Sequence, residues 1–247
     1  SHHSRRNRRI DGYGRTLENR LRLPSEVLLE VRRRVGADFP VGIRFDVEEC
    51  IKDGYTAVEG REMALRFARL GADYVSLSAG GKFEDALHKP GQPLYPYTGY
   101  SGDRCMPGAA YPDGTNLPLA RAVKAWLLEH GLATPVVASG KIATPEMAEH
   151  VLASGTADLV AMARQLLADP DWVRKVRTGK PETIVRCVYG NVCKNLDENF
   201  RKVTCTLWPR GALQAPVSDD REPPEWPAGG ARLEAAWDGG RVRLRWS

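Results

Sequence analysis

Apolar positions along this chain switch repeatedly between two patterns: the spacing of about 3.6 residues expected of a helix, and the short unbroken runs expected of buried parallel strands. TLENRLRLPSEVLLEVRRRV, from Thr16 to Val35, has helical spacing, with Thr16 as N-cap and Gly36 as the stop. Pro24 lies inside it, and its missing N–H predicts a kink or a break into two shorter helices. PVGIRF at 40–45 reads as a strand. A second helix starts at Thr56, where T-A-V-E forms a capping box with Glu59, and stops at Gly71. DYVSLSAG at 73–80 is the next strand.

The pattern then lapses. From Gly81 to Asn116 the chain is rich in Gly, Pro and Tyr and keeps no period, and a loop this long inside a compact domain is most often a lid or a binding loop. It contains His88, Tyr95, Tyr97, Tyr100, Arg104 and Tyr111, side chains able to touch a substrate. Helix 117–131, strand 135–139, helix 144–155, strand 158–162 and helix 169–179 follow, the last capped by Asp169 with Pro170 in its first turn. Beyond Gln214 the chain becomes Pro-rich and acidic, then alternates apolar and polar residues on both sides of Asp-Gly-Gly. That alternation predicts a β-hairpin, or the first strands of a module resembling fibronectin type III. The domain reading is therefore residues 1–214 as one unit and 215–247 as linker and hairpin.

Strands alternating with helices over short connections predict an α/β fold with a parallel sheet. The length of 247 residues suits a complete (β/α)8 barrel, but the pattern supplies four βα units where closure needs eight. The expected fold is the second half of a (β/α)8 TIM barrel, with a C-terminal extension.

Two strand ends carry the clearest chemistry. PVVASGKI and DLVAMARQLL each end in a small residue followed by a base, Gly140-Lys141 and Ala163-Arg164. Adjacent βα turns of this kind aim backbone N–H groups and two cations at one anion, which predicts a phosphate clamp.

Composition narrows the partners. The net charge of +5 and pI near 9.0 come partly from Arg5, Arg6, Arg8 and Arg9, but no aromatic residues interleave with them, so nucleic acid is not expected as a partner. With no long apolar run and no signal-peptide pattern, no membrane partner and a cytoplasmic location are expected. The cysteines are then expected to be reduced unless they bind metal.

Five blocks in order, NRRIDGYGRTLENRLR, VGIRF, YVSLSAG, ASGKI and MARQLLADP, resemble the second half of the Old Yellow Enzyme family of NADH:flavin oxidoreductases. The resemblance covers roughly residues 1–210. It implies FMN at the C-terminal ends of the barrel strands, NAD(P)H as electron donor, a small-molecule acceptor such as an activated C=C bond, and scope for a homo-oligomer. It implies cofactor-binding roles for Arg44 at the pyrimidine edge of the flavin, and for Ser139, Gly140, Lys141, Ala163 and Arg164 at its phosphate. Lys141 departs from the Gly-Arg of many family members, keeping charge without the fork, so its backbone N–H becomes its main contribution. Arg44 paired with Asp46 is the plain structural alternative.

The family's carbonyl-binding His, paired with His or Asn, and its proton-donating Tyr lie upstream of the NRR block, so catalytic residues stay unknown and these residues alone are expected to turn over nothing. His2 and His3 read as loop residues. One branch of the family, similar to 2,4-dienoyl-CoA reductases, holds a [4Fe-4S] cluster through C-x2-C-x3-C-x11-C. Here Cys187, Cys193 and Cys205 keep only the x11 spacing, with Tyr189 or Gly190 where the second ligand belongs, so ordinary cysteines and no bound metal are expected. Two other readings stay open: a phosphate-binding barrel enzyme without flavin, and a non-catalytic half-barrel.

Overall fold

The computed structural model describes residues 7–51, 53–81, 102–217, 233–238 and 241–246. Helix α1 (Leu17–Val35) starts at Thr16, whose hydroxyl accepts the Asn19 N–H, and ends at Gly36. It runs through Pro24 as one helix, which overturns the expected break. Leu21, Ser25 and Leu28 are buried on both sides of the proline, so packing keeps the two halves in one element despite the lost donor.

Strand β1 (Gly42–Asp46) follows, then helix α2 (Ala57–Arg69). Thr56 caps α2 by accepting the Val58 N–H, but the reciprocal half of the capping box is absent. Glu59 turns instead to Arg20 of α1, 2.6 Å away, because that guanidinium is almost wholly buried and needs a counter-charge. Gly60 lets α2 sit directly on the chain leaving β1, since a Cβ there would lie 2.0 Å from the Val47 carbonyl oxygen.

β2 (Tyr74–Ser78) is the next strand, and α3 (Gly102–Cys105) places a single helical turn inside the segment expected to lack structure. His88, Tyr95, Tyr97 and Tyr100 lie outside the described residues, as do His2, His3, Arg5 and Arg6. Helix α4 (Leu117–Glu129), strand β3 (Val136–Ser139), helix α5 (Pro145–Ala153) and strand β4 (Leu159–Ala161) fall where periodicity predicts them.

After β4 the chain departs from expectation. Helix α6 (Arg164–Ala168) forms at once, and α7 (Trp172–Arg177) begins after Asp171, not Asp169. Asp169 is buried and holds three groups: the N–H of Asp171 at 3.1 Å, the N–H of Val185 at 2.7 Å and the Lys175 ammonium at 2.7 Å. A buried carboxylate with three donors ties the returning chain to the end of α6, a role a local cap would not fill. A 3-10 turn (Pro181–Thr183) and α8 (Val192–Glu198) complete the main body. β5 (Leu233–Asp238) and β6 (Arg241–Trp246) pair antiparallel, giving the hairpin read from the alternation. The Pro-rich stretch at 218–232 lies outside the described residues.

The main sheet is parallel in the order β1-β2-β3-β4, with Arg44 beside Ser76, Ser76 beside Val137 and Ser139 beside Ala161. Sequential parallel strands joined by helical crossovers make this an α/β fold with half the strand set of a (β/α)8 barrel. Alternation along each strand sorts the two faces. Phe45, Val75, Leu77, Val136 and Ala138 join Phe67, Leu127 and Val151 in a core under the helices. Arg44, Tyr74 and Ser139 belong to the opposite face, where Arg44 and Tyr74 are exposed.

The turn after β1 buries Cys50 at 1% exposure, and burial pushes its thiol from 9.0 up to about 12. Below pH 9 the thiol is protonated in both folded and unfolded chains and contributes no pH dependence. Above that, the unfolded chain sheds the proton first, so stability falls as pH rises toward the folded value, by up to about 1.4 kcal/mol per pH unit. Urea midpoints measured upward from pH 9 are expected to fall for the native chain and to fall less steeply for Cys50→Ala. Equal slopes would show that this thiol is not the cause.

Candidate functional site

β3 and β4 end side by side, and the chain turns away from them at Gly140 and Ala163. Gly140 has φ of 119°, and a Cβ there would lie 2.9 Å from the Asn116 side chain, so both backbone angle and space require glycine. Lys141 follows in the left-handed region at φ 56°, a strained angle for a residue with a side chain. Ala163 has an ordinary helical φ of −101°, as its side chain requires, and Arg164 opens α6. Ser139 donates its hydroxyl to the Leu77 carbonyl at 2.8 Å, which ties β3 to β2 just before the turn.

The two bases of the expected clamp do converge. The Lys141 ammonium lies 4.7 Å from the centre of the Tyr189 ring, and the Arg164 guanidinium lies 4.8 Å from the same centre. Their bonding differs, however. Lys141 is buried, its ammonium donating to the carbonyls of Gly108, at 3.2 Å, and Tyr111, with the Asp113 carboxylate 3.5 Å away. These neighbours leave the ammonium less free toward an anion than a solvent-facing cation would be. Its field remains, together with its backbone. Arg164 uses Nη1 for the carbonyl of Pro107, at 2.7 Å, and for Asn191 Oδ1. A guanidinium has five N–H groups, so others are left for a ligand, while burial pulls its pKa below the usual value.

Arg44 stands apart from this pair, two strands from Lys141 and three from Arg164, on the face opposite the helices. Its Nη1 donates to Ser76 Oγ at 2.9 Å across the β1–β2 register. The arginine is thereby held as an exposed cation on the open side of the sheet.

Three functional candidates escaped the sequence reading. Asn116, buried over Gly140, exchanges hydrogen bonds with Arg104, accepting from Nη2 at 3.1 Å and donating to its carbonyl at 3.2 Å. It links the segment before α4 to the turn after β3. Asn191 bonds both Arg164 and, at 3.0 Å, the Met106 carbonyl. Tyr189 contacts both bases. The signal for the last two was present in Tyr-Gly-Asn, because Asn beside Gly favours the left-handed backbone that Asn191 adopts at φ 58°.

Cys187, Cys193 and Cys205 are free thiols of intermediate exposure. Cys187 Sγ accepts the Tyr189 N–H at 3.4 Å, and burial pushes its thiol up. Among the described residues, no group of three or more His, Cys, Asp or Glu side chains is placed to hold a metal ion. No helix among them is long and apolar enough to cross a membrane.

Four sequential parallel strands with basic turns at the carboxyl ends of the last two place this chain among the (β/α)8 barrels, as one half of such a barrel. Residues 2–85 and 119–183 match the NADH:flavin oxidoreductase / NADH oxidase family, and the chain belongs to that family. It is 30% identical over 223 residues to an NADH oxidase of Thermoanaerobacter brockii, covering 89% of this chain and 31% of that protein. A multifunctional alkene reductase/demethylase of Caballeronia cordobensis is 30% identical over 218 residues, covering 87% of this chain and 28% of the relative. Among solved structures, 2-naphthoyl-CoA reductase in complex with 2-naphthoyl-CoA superposes with a TM-score of 0.69 at 28% identity, covering 84% of this chain and 28% of that one. The chain thus spans less than a third of the length of each of these proteins.

Proposed function

We propose that this chain forms the phosphate-binding half of an FMN-dependent oxidoreductase in which NAD(P)H reduces the flavin and hydride passes to an activated C=C bond or a related acceptor. The observation that carries the proposal is the meeting of Arg164 and Lys141 at one aromatic ring, at the ends of neighbouring parallel strands. A phosphate ester suits the donors found there. Arg164 has N–H groups beyond those used by Pro107 and Asn191, and the backbone at Gly140 carries no side chain to block approach.

When bound, FMN supplies a carrier that accepts and releases two electrons as hydride. The residues of this chain hold and tune it. Arg164 and the turn residues Ser139, Gly140, Lys141 and Ala163 anchor the phosphate. Arg44, kept in place by Ser76, offers a fixed positive charge on the open face, suited to negative charge on a reduced ring. The family membership supports the flavin, and the alkene reductase relative supports an acceptor of the ene type.

The test compares FMN with riboflavin, which lacks the phosphate. Titration of the chain, followed by quenching of flavin fluorescence, is expected to show weak binding with FMN preferred by at least tenfold, because charge-assisted hydrogen bonds to phosphate are the stronger kind. Equal affinity for the two flavins would remove the phosphate reading. Binding of inorganic phosphate without either flavin would favour a barrel enzyme that does not use FMN.

A further inference from the structure

Tyr189 is 6% exposed, yet its hydroxyl meets no hydrogen-bond partner among the described residues. Phenylalanine would fill the same space without the free-energy cost of an unpaired buried hydroxyl, so the oxygen calls for an explanation. The surroundings hold the ring firmly where it is. Tyr189 adopts left-handed backbone at φ 55°, a region that a bulky side chain enters only under constraint, and Asn191 follows it there at φ 58°. Asn191 then anchors to the Met106 carbonyl and to Arg164, while the two cations lie against the Tyr189 ring. Strained backbone, a fixed ring and an unpaired donor together mark a group waiting for a partner that the described residues do not supply.

The chemistry of that partner follows from the neighbours. Lys141 and Arg164 make the vicinity of the ring positive, and the Lys141 ammonium is already engaged by Gly108, Tyr111 and Asp113. An acceptor entering beside Arg164 is therefore favoured if it is an anion. Burial pushes the Tyr189 phenol up to about 12, so it stays protonated and able to donate throughout the neutral range. We infer that the Tyr189 hydroxyl donates directly to the phosphate held by Arg164, as a further anchor of the anion site. This rests on the FMN reading given above.

Tyr189→Phe in the 247-residue chain tests the inference, because it removes one oxygen and keeps the ring. FMN and riboflavin are titrated by fluorescence quenching, and the unliganded proteins are compared by urea denaturation. The expected result is about a tenfold loss of FMN affinity, an unchanged riboflavin affinity, and an unliganded stability equal to or above that of the native chain. If the native chain prefers FMN and the variant keeps the whole preference, the role of Tyr189 is overturned and the anion site stands. A variant that loses FMN together with a lowered urea midpoint also overturns it, since the hydroxyl would then be supporting the fold. A native chain without preference for FMN overturns the phosphate reading and this inference with it.

Discussion

Replacing Arg164 by alanine is expected to lower FMN affinity by about fiftyfold while changing riboflavin affinity little. The guanidinium is partly buried at the start of α6, is fixed by Asn191 and the Pro107 carbonyl, and lies against Tyr189. Charge-assisted hydrogen bonds made from such a position contribute about 1.5–3 kcal/mol, and each 1.4 kcal/mol is a factor of ten. Part of the loss would be structural, because the substitution also leaves Asn191 Oδ1 and a backbone carbonyl without their donor. Arg164→Lys separates the two contributions. Lysine keeps the charge but not the fork, so an intermediate preference for FMN over riboflavin is expected. An alanine variant with the native FMN-to-riboflavin ratio would show that the phosphate, if bound, is held elsewhere.

Phe67→Ala is expected to have the largest effect on stability, about 3–5 kcal/mol in urea denaturation. Phe67 of α2 is 1% exposed, and its ring meets Phe45 of β1 edge-on, with centroids 5.4 Å apart. The substitution removes the most voluminous fully buried side chain among the described residues and opens a cavity between the helix layer and the sheet. Phe45 neighbours Arg44 on the strand but faces the other way, so the lost packing lies across the sheet from that arginine. The FMN-to-riboflavin ratio of whatever remains folded should stay close to native. A shift below about 1 kcal/mol would mean that the site collapses around the smaller side chain.

Local signals were enough where the cause is local. Thr16 and Thr56 cap the helices that follow them, because the cap is a hydrogen bond from an N–H two or three residues on to the threonine hydroxyl oxygen. The strands were legible as short apolar runs because the positions facing the helices, Phe45, Val75, Leu77, Val136 and Ala138, are buried in the core. Glycine at 140 and alanine at 163 take opposite backbone angles, since a Cβ excludes the first conformation and permits the second.

Long-range partners escaped the reading for a physical reason. Glu59 chooses Arg20, 39 positions away, over its own helix N-terminus because a buried guanidinium draws a carboxylate more strongly than an exposed N–H does. Asp169 serves Val185 rather than capping α7, and Pro24 is overridden by the burial around it.

The amino-acid sequence by itself determined the parallel α/β half-barrel, its four strands and the basic turns after the last two, because period, capping and glycine placement act over a few residues. Tertiary structure alone decided how those bases are used. Only folding brings Gly108, Tyr111 and Asp113 to Lys141, and Asn191 and Tyr189 to Arg164, because hydrogen bonds and ring contacts of that kind depend on where distant segments meet.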